Sequence, residues 1–405
     1  MRFGLERMGR LLALLGNPQA GLPALHVVGT NGKSSTTRMA AAALGAQGLT
    51  VGTFTSPHLL SFAERIGVAD AQLTETAFSA AVSTVADAVL QLDLASDRDD
   101  RVTQFEAVNA AAFVALRAAR CDAVVIEAGL GGRLDSTNVL SDSRVQVLTS
   151  VGIDHTQYLG ETVAEIAGEK LAVVRDGGVL VTGPLDAQLR ALALKTVISK
   201  GAQLVAVTGE RKEFGDLAGA FMRVNASVAL AAAEQMFTRL GGKRFDHDGA
   251  VAAITAIVWS GQLDGRFAVH GHDPLVIFDC AHNAAAAIEL VDAVRELGGD
   301  RPVTLLLAML GDKQVGKTLE PLLAAAAGVV CTSVANPRSL SASQLAVQIA
   351  QLSLNLPVVE ADEAHGGLAL AIEQAGKGGL VLATGSNYLI GDLLATGRRE
   401  RGATF

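Results

Sequence analysis

The stretch LHVVGTNGKSS, residues 25–35, decides the kind of fold that this sequence specifies. Its pattern predicts a short buried strand, a loop with two glycines and the start of a helix. Backbone N–H groups of such a loop point at phosphate oxygens, the helix start adds partial positive charge, and Lys33 supplies a cation for the β- and γ-phosphates. The full Walker spacing requires glycine at position 27, where this sequence has Val27, so the loop is a shortened variant. The alternative is a glycine-rich turn with a solvated lysine. The predicted phosphate-binding residues are Gly29, Thr30, Asn31, Gly32, Lys33, Ser34 and Ser35.

Beyond this stretch, short apolar runs alternate with helical segments, which is the pattern of repeated β-α units. Aromatic residues make up only 4% of the chain, and this composition favours helices packed on parallel strands over an all-β sandwich. Strands are predicted at 25–28, 51–54, 123–126 and 145–153, and helices at 36–47, 76–90, 106–119 and 161–174.

A second alternating series begins near Pro274 and predicts a separate Rossmann-like sheet. Its strands are predicted at 275–278, 303–309, 329–334 and 380–384, and its helices at 284–297, 315–327 and 342–352. Glycine, proline and charged residues interrupt the pattern just before it, which places the domain boundary near Arg266. Because 405 residues exceed what one core accommodates, we predict an α/β protein of two domains. Residues 1–266 form an N-terminal P-loop ATPase-type domain with a mostly parallel sheet, and residues 267–405 form a smaller C-terminal Rossmann-like α/β domain.

Charge and cysteine content exclude several functional classes. The formal net charge of -8 offers no broad positive field, so no nucleic-acid partner is expected. Three cysteines far apart in the sequence indicate neither a disulfide framework nor a zinc site, which fits a reducing cytoplasm. The N-terminus lacks an apolar signal core and the longest apolar runs fall short of a bilayer span. We therefore predict a cytoplasmic protein with no membrane association.

Acidic side chains follow two predicted strands at the point where each strand ends. Glu127 closes the run 123–126, and Asp154 and His155 follow the strand predicted at 145–153. Open α/β sheets bind ligands at the carboxyl ends of their strands. Carboxylate oxygens and one nitrogen suit a hard cation that bridges ATP phosphates, so we predict magnesium here. For Glu127 the alternative is a carboxylate that faces solvent.

Two polar loops carry weaker signals. Loop 55–59 follows a short strand and is most simply a turn capped by Ser56. Segment 131–138 frees the backbone with two glycines and offers Asp135 and its polar neighbours to a ligand, although a purely structural loop is the alternative.

Single polar residues elsewhere differ in how much they indicate. Lys170, taken alone, is expected to be a solvated lysine on a helix, and Asn225 and Arg266 look ordinary. Asp279 and His282 follow the strand at 275–278 and are better candidates. Helix capping by Asp279 and a satisfied histidine at His282 are the alternatives.

Ordered blocks across nearly the whole chain resemble those of the folylpolyglutamate synthase and dihydrofolate synthase family, a branch of the Mur-type ATP-dependent amide ligases. The blocks are GTNGKSS at 29–35, TSPHLLSFAERI at 55–66, TQFE at 103–106, EAGLGGRLDSTN at 127–138, DHTQYLG at 154–160, EK at 169–170, DCAHN at 279–283, NPR at 336–338 and TGSNYL at 384–389. Any one block could arise by chance, whereas their shared order from Phe3 to Leu393 is specific.

The resemblance implies roles for individual residues. It implies that Lys33 and the loop amides hold ATP phosphates, and that Lys170 sits where family members carry a carbamylated lysine that helps bind a second magnesium. The implied magnesium ligands are Ser56, Glu127, His155 and, when carbamylated, Lys170. The implied nucleotide contacts outside the loop are Asn225, Arg266 and Asp279. The implied acceptor-substrate residues are Thr103, Phe105, Glu106 and Asp135, with Ser386 and His282 near glutamate or phosphate. The catalytic candidates are Lys33, His155, Lys170 and His282.

The implied reaction joins L-glutamate to a folate-type carboxylate in folate biosynthesis. ATP converts the carboxylate to an acyl phosphate, and the glutamate amine then attacks the carbonyl and releases phosphate, so no protein nucleophile is needed. The sequence departs from the family at Ser34, Cys280 and Ala284, and it has no counterpart of the helix that normally precedes the block at Phe3 and contributes to the pterin pocket. A monomer is expected from the resemblance.

Three alternatives stay open at this point. The acceptor is dihydropteroate, which gives dihydrofolate, or a folate that already carries glutamate, which gives a polyglutamate tail; we predict both. A Mur-type ligase with another amino-acid or cell-wall acceptor is the second possibility. A non-catalytic protein that only binds ATP is the third.

Overall fold

The protein is described from a computed structural model over residues 4–94, 96–97, 100–261, 263–311, 315–352 and 355–395. Phe3, where the family resemblance begins, lies outside these residues. The chain forms two compact units, the first made of Met1–Asp216 and Met222–Ile257 and the second of Leu217–Phe221 and Val258–Phe405. Arg266 lies in the second unit, and the functional division at Arg266 stays a prediction.

The first unit is built on a sheet of eight strands within the described residues. The strands are β1 (Ala24–Val28), β2 (Val51–Phe54), β3 (Ile66–Val68), β4 (Ala71–Gln72), β5 (Ala123–Glu127), β6 (Ser143–Leu148), β7 (Val179–Thr182) and β8 (Gln203–Ala206). Their order is β4-β3-β2-β5-β1-β6-β7-β8, and all except β3 and β4 are parallel.

The two central strands place the site. Every residue of β1 and β5 is buried, as expected for parallel strands covered on both faces. The register pairs Val27 with Glu127. Because the strands are parallel, the loop after β1 and the carboxylate that ends β5 meet at one edge of the sheet.

Helices cover the sheet. Up to Trp259 they are α1 (Leu5–Leu14), α2 (Lys33–Gly45), α3 (Glu75–Leu94), α4 (Gln104–Ala118), α5 (Thr156–Leu159), α6 (Val163–Leu171), α7 (Ala187–Ser199), α8 (Ala220–Arg239) and α9 (His247–Trp259). One core cluster joins α1, α3 and α4 to the sheet through residues such as Met8, Val85 and Phe113. Another joins α6 and α7 to it through Leu171, Leu180 and Val197.

One described helix, α3, is long and apolar enough to cross a membrane by length and composition alone. The sequence analysis considered uninterrupted apolar runs, whereas α3 includes Glu75, Asp87 and Asp93 among its 20 residues. Ala81, Val85, Ala88 and Leu92 of this helix are buried in the core with α1 and α4. These contacts give α3 a role in the fold of the first unit.

The second unit has its own sheet, with six strands in the part of the chain that is described. The strands are β9 (Ala268–His272), β10 (Leu275–Phe278), β11 (Val303–Leu307), β12 (Ala326–Cys331), β13 (Val358–Glu360) and β14 (Leu380–Thr384). The order is β13-β12-β11-β14-β10-β9, and only β9 runs antiparallel to its neighbour. Its helices are α10 (Ala284–Gly298), α11 (Val315–Ala324), α12 (Ala342–Leu352), α13 (Ala364–Ala375) and α14 (Asn387–Leu394). The predicted α/β class with mostly parallel sheets is confirmed.

Several predicted element bounds are wrong, two of them for identifiable reasons. The strand predicted at 145–153 ends at Leu148, because Thr149, Ser150 and Gly152 turn to bond the loop after β1. The helix predicted at 161–174 begins at Val163, where the Thr162 and Glu165 side chains form a capping box. The strand predicted at 329–334 begins and ends earlier, at Ala326–Cys331.

Candidate functional site

The predicted phosphate-binding loop lies between β1 and α2, as the sequence indicates. Gly32 precedes the helix in the left-handed region, with φ of 80°. A Cβ atom on Gly32 would lie 2.3 Å from Oδ1 of Asn225, and one on Gly29 would lie 1.9 Å from Oγ1 of Thr149. Only glycine therefore fits at either position without displacing its neighbour. Asn225, which looked ordinary in the sequence, packs directly on this loop.

The loop after β6 holds the phosphate-binding loop in place. The Thr30 amide donates to the Ser150 carbonyl at 2.9 Å, and the Asn31 amide donates to Ser150 Oγ at 3.0 Å. The Thr149 hydroxyl donates to the Asn31 carbonyl at 2.6 Å. These bonds fix the backbone before any ligand binds, which reduces the entropy lost on binding phosphate.

Two lysines converge on the carbonyl of Gly29. Lys33 Nζ donates to it at 3.1 Å and also to the Thr30 carbonyl at 3.1 Å. Lys170 Nζ donates to it at 2.8 Å from α6. Lys170 is only 3% exposed, so the expectation that its side chain is solvated is wrong. Burial, reinforced by the nearby Lys33 cation, lowers the pKa of Lys170 to about 7.

Glu127, Ser34 and Ser56 are brought together at the edge of the sheet. Glu127 is 1% exposed, and its Oε1 accepts from the Ser34 hydroxyl at 3.1 Å while its Oε2 accepts from the Ser56 amide at 3.2 Å. The alternative of a carboxylate facing solvent is therefore wrong. The Ser56 amide is thus bonded to Glu127, and the capping box in the residues that follow is formed by Ser61 and Glu64.

His155 stands beside Asp154 at the start of α5, in the left-handed region with φ of 52°. Its amide donates to Asp154 Oδ1 at 2.9 Å, and its ring Nε2 lies 3.8 Å from Asp154 Oδ2. The imidazole is 40% exposed. It follows β6 at the same sheet edge as the phosphate-binding loop.

The donor set at this edge fits magnesium held mainly by a bound nucleotide. Among the described residues, no group of three or more His, Cys, Asp and Glu could hold a metal by itself. Magnesium commonly binds one or two carboxylates and takes its remaining ligands from phosphates and water. One buried carboxylate with serine hydroxyls next to a phosphate-binding loop meets that requirement.

Asp135 organises the loop that follows β5. Its oxygens accept from the Leu130 amide at 2.8 Å, the Thr137 amide at 2.9 Å and the Thr137 hydroxyl at 2.5 Å. Asp135 is buried, and burial raises its pKa. The loop also lines a small cavity, together with residues of α5 and α6. The cavity residues are Leu130, Gly131, Gly132, Leu134, Tyr158, Leu159 and Glu169.

The three candidates of the TQFE block have structural contacts. Thr103 and Glu106 form a capping box at the start of α4, and Glu106 also accepts from Arg7 Nε at 2.8 Å. The Phe105 ring packs on Gly129, where a Cβ atom would lie 2.3 Å from Cζ of the ring. Of the three, Phe105 therefore contacts the loop organised by Asp135.

The second unit gathers Arg266, Asp279 and His282. Asp279 accepts from the Phe267 amide at 2.8 Å and the Ala281 amide at 2.7 Å. Burial raises the pKa of Asp279 to about 6, although the Arg266 charge opposes the shift. His282 Nδ1 lies 2.9 Å from the Cys280 carbonyl. Asp279 does not cap a helix, since Asn283 caps α10.

Ser386 follows β14, beside the loop that carries His282. Its hydroxyl caps α14 by accepting from the Tyr388 amide at 3.1 Å. The Gly385 amide donates to the Ala281 carbonyl at 3.0 Å, which joins the two loops. Asp279, His282 and Ser386 thus lie at the carboxyl ends of the neighbouring strands β10 and β14.

Sequence reasoning missed His26 and Arg175. His26 is fully buried in β1, and its Nε2 lies 2.8 Å from Oγ1 of Thr137. Arg175 Nη2 donates to the carbonyl and side-chain oxygens of Asn138 at 2.7 and 2.8 Å. A polar residue inside the apolar run LHVV was a signal for His26, while Arg175 gave none.

Comparison with known families matches both halves of the chain. Residues 27–228 match the family described as Mur ligase middle domain, and residues 265–387 match the Mur ligase, glutamate ligase domain. The chain is similar to the dihydrofolate synthase/folylpolyglutamate synthase of Mycobacterium tuberculosis, at 32% identity over 85% of this chain and 77% of the relative. It is also similar to the protein of that name from Bacillus subtilis, at 30% identity over 96% of this chain and 94% of the relative.

Solved structures with the same fold carry informative ligands. Mycobacterium tuberculosis folylpolyglutamate synthase complexed with ADP and AMPPCP has a TM-score of 0.89 at 29% identity, covering 97% of this chain and 95% of that one. Escherichia coli FolC in complex with DHPP and ADP has a TM-score of 0.83 at 27% identity, covering 97% and 93%. A bifunctional folylpolyglutamate synthase/dihydrofolate synthase with Mn, AMPPNP and L-glutamate bound has a TM-score of 0.81 at 28% identity, covering 97% and 94%.

Proposed function

Since this chain belongs to the folylpolyglutamate synthase and dihydrofolate synthase family of Mur-type ligases, we propose that it joins L-glutamate to pteroate- and folate-type carboxylates with conversion of ATP to ADP and phosphate. It is an ATP-dependent amide ligase that acts in folate metabolism. The observation that carries the proposal is the convergence of Lys33, Lys170 and Glu127 on one preformed phosphate-binding loop.

The chemistry requires activation of a poor acyl donor. The acceptor carboxylate attacks the γ-phosphorus of ATP, which forms an acyl phosphate and releases ADP. The glutamate amine then attacks the acyl carbon, phosphate leaves, and the amine loses a proton. Lys33 supplies positive charge where negative charge develops on the transferred phosphoryl group.

Lys33 is ready for that role at little cost. Its ammonium is held by two loop carbonyls. When Lys33 turns toward a phosphate, it exchanges these neutral acceptors for a charged acceptor, which makes a stronger hydrogen bond. The amides of the loop and the start of α2 add further donors. Water must be kept from the acyl phosphate, because hydrolysis would waste it.

Glu127, Ser56 and His155 would hold magnesium, as the resemblance implies. A bound magnesium ion would neutralise phosphate charge and orient the β- and γ-phosphates. The buried Glu127 carboxylate supplies the one strong anionic ligand among these residues, and its orientation is set by Ser34 and the Ser56 amide. The manganese complex of a similar enzyme supports a divalent cation.

Lys170 is proposed to carry a carbamate. An amine whose pKa is about 7 has a substantial neutral fraction near pH 7, and a neutral amine attacks CO₂ to give a carbamate with loss of one proton. ¹³C NMR after equilibration with ¹³C-bicarbonate should show a carbamate signal that is absent from Lys170→Gln. A signal that persists in this variant would refute the assignment to Lys170.

The acceptor is proposed to be dihydropteroate and also a folate that already carries glutamate. The relatives named as dihydrofolate synthase/folylpolyglutamate synthase support both activities. They disfavour a cell-wall acceptor and a protein that only binds ATP. Asp135 and Phe105, with the loop between β5 and β6, are the proposed acceptor-binding residues, and Asp279, His282 and Ser386 are proposed to act from the second unit with Arg266.

The decisive experiment measures phosphate release and product mass with ATP, magnesium, glutamate and each pterin in turn. We expect a mass gain of one glutamyl unit that depends on all components. Glu127→Gln should abolish it, while Glu161→Gln, which alters an exposed glutamate, should leave it unchanged. Absence of product with every pterin would overturn the acceptor assignment.

Location and assembly follow as proposals. We propose a cytoplasmic monomer with small-molecule substrates and without nucleic-acid or membrane partners. The net charge of -8 and the burial of one side of α3 in the core support this. Light scattering during size-exclusion chromatography should give the 41.6 kDa mass of one chain.

A further inference from the structure

A fully buried histidine connects the strand that leads into the phosphate-binding loop with the loop that carries Asp135. His26 lies in β1, three residues before Gly29, and is 0% exposed. Its Nε2 is 2.8 Å from Oγ1 of Thr137. Thr137 belongs to the short 3₁₀ turn Ser136–Val139, for which Asp135 is the N-cap. The contact joins positions 111 residues apart in the sequence.

The direction of each hydrogen bond can be deduced. The Thr137 hydroxyl lies 2.5 Å from Asp135 Oδ1, and Asp135 already accepts from the Leu130 and Thr137 amides. A carboxylate only accepts, so the hydroxyl donates its single hydrogen to Asp135. Its lone pairs must then accept from His26. His26 is therefore the tautomer protonated at Nε2, a donor.

The remaining ring nitrogen agrees with this tautomer. Nδ1 of His26 is buried and has no hydrogen-bond partner among the described residues. A bare nitrogen there leaves only a lone pair unsatisfied, whereas a protonated ring would leave a buried N–H and a charge without partners. Burial, together with the Arg175 cation, lowers the pKa of His26 to about 3. The imidazole thus stays a neutral donor near neutral pH.

The far end of the same loop is also anchored. Arg175 Nη2 donates to both oxygens of Asn138, at 2.7 and 2.8 Å. The loop is thereby held at Asn138 by a residue that follows α6 and at Thr137 by β1. Of the two anchoring residues, His26 and Arg175, it is His26 that lies on the strand leading into the phosphate-binding loop.

We propose that His26 is a positioning residue for the acceptor substrate: through Thr137 it fixes the Asp135 carboxylate and sets the acceptor loop relative to the phosphate-binding loop. The inference rests on the proposed function, because it assigns the loop of Asp135 to the acceptor. It predicts that loss of the donor impairs use of the pterin more than binding of the nucleotide.

Three substitutions of His26 test whether its N–H donor is needed or only the volume of its side chain. The side-chain amide of His26→Gln can place an N–H near the position of Nε2, His26→Asn places it about one bond short, and His26→Leu removes it. We expect kcat/KM for the pterin acceptor to fall about tenfold in the Leu and Asn variants, the value of one lost neutral hydrogen bond, and by less than about threefold in Gln. The dissociation constant of ADP, measured by calorimetry, should stay within about twofold in all three.

A second pair of variants tests the chain of hydrogen bonds from His26 through Thr137 to Asp135, here called the relay, without altering β1. Thr137→Val removes the hydroxyl, and Thr137→Ser keeps it. Thr137→Val should reproduce the loss seen in His26→Leu, and the double variant should be no worse than either single variant, because both act on one chain of bonds. Additive losses would show that the two residues act separately and would overturn the relay.

Hydrogen exchange tests the positioning role independently of any activity. The Leu130 and Thr137 amides both donate to Asp135, so they should exchange at least about tenfold faster in His26→Leu than in wild type. Amides of α2 serve as the control and should be unchanged. Unchanged exchange at Leu130 and Thr137, or Gln no better than Leu, would overturn the proposal. Wild type that releases no phosphate with any pterin would instead refute the proposed function, and the exchange result would still judge the relay.

Discussion

Replacing Gly32 with alanine should damage the phosphate-binding loop for two separable reasons. Gly32 has φ of 80°, and an L-residue in that region costs about 1–2 kcal/mol. The new Cβ would also lie 2.3 Å from Asn225 Oδ1 and 3.0 Å from its Cγ, and crowding of this kind costs about 1–3 kcal/mol. We therefore expect Gly32→Ala to destabilise the first unit by about 2–5 kcal/mol.

Gly48 provides a matched control for the backbone contribution. Its φ is 81°, and a Cβ atom there would have nothing within 4 Å. Gly48→Ala should therefore lose only about 1–2 kcal/mol and leave ADP binding unchanged. In Gly32→Ala, strain of about 1.4 kcal/mol carried into the complex would weaken ADP binding about tenfold.

The measurements are urea unfolding followed by a first-unit probe, and calorimetric titration with ADP and magnesium. The double variant Gly32→Ala/Asn225→Ala is compared with Asn225→Ala alone. Because the shortened side chain at position 225 removes the crowding, only the loss of stability that comes from the backbone conformation of Gly32 should remain. Equal losses of stability and ADP affinity in Gly32→Ala and Gly48→Ala would refute the claim that Asn225 closes the space beside the loop.

Three further predictions concern single interactions. Glu127→Gln should weaken magnesium-dependent ATP binding at least about tenfold. Ser34→Gly should change this binding less than about threefold, because the Ser56 amide still holds Oε2 of Glu127. Calorimetry with and without magnesium distinguishes the two variants, and equal losses of affinity would contradict the prediction. Thr103→Val removes the N-cap of α4 and should cost about 1 kcal/mol in unfolding experiments, while Thr103→Ser should cost little; a loss in Thr103→Ser equal to that in Thr103→Val would argue against capping. Because the pKa of Asp279 is raised from 3.8 to about 6, the contribution of Asp279 to the free energy of unfolding is complete below pH 3.8 and is lost as pH rises through 6, a change of about 3 kcal/mol at most. Asp279→Asn should lack this pH dependence. A ¹³C-carboxyl titration of Asp279 in wild type with a midpoint near 4 would contradict the prediction.

Much of the fold could be predicted from local patterns. The runs at 25–28 and 123–126 lie within β1 and β5, because a strand covered on both faces must be apolar throughout. The glycine loop and Lys33 fall where a phosphate-binding turn requires them. The ordered blocks indicated the family, which the comparisons show.

Other features have no local signature. Lys170 looks like a surface lysine on its helix, yet it is buried and donates a hydrogen bond to the Gly29 carbonyl, 141 residues away. The strand predicted to reach Ile153 stops at Leu148 because the residues that follow bond to Thr30 and Asn31 instead. Periodicity reports which face of an element is apolar, and it carries no information about partners far away in the chain.

By itself, then, the sequence determined the α/β class, the phosphate-binding loop, the strand-end position of Glu127 and the ligase family, since each depends on residues close together in the chain or on ordered blocks. Only the tertiary structure decided that Thr103 and Glu106 cap a helix and bind Arg7, that Lys170 loses its solvent, and that His26 reaches Asp135 through Thr137. The physical reason is that hydrogen-bond partners, burial and the resulting pKa shifts are set by neighbours that folding brings together from distant parts of the chain.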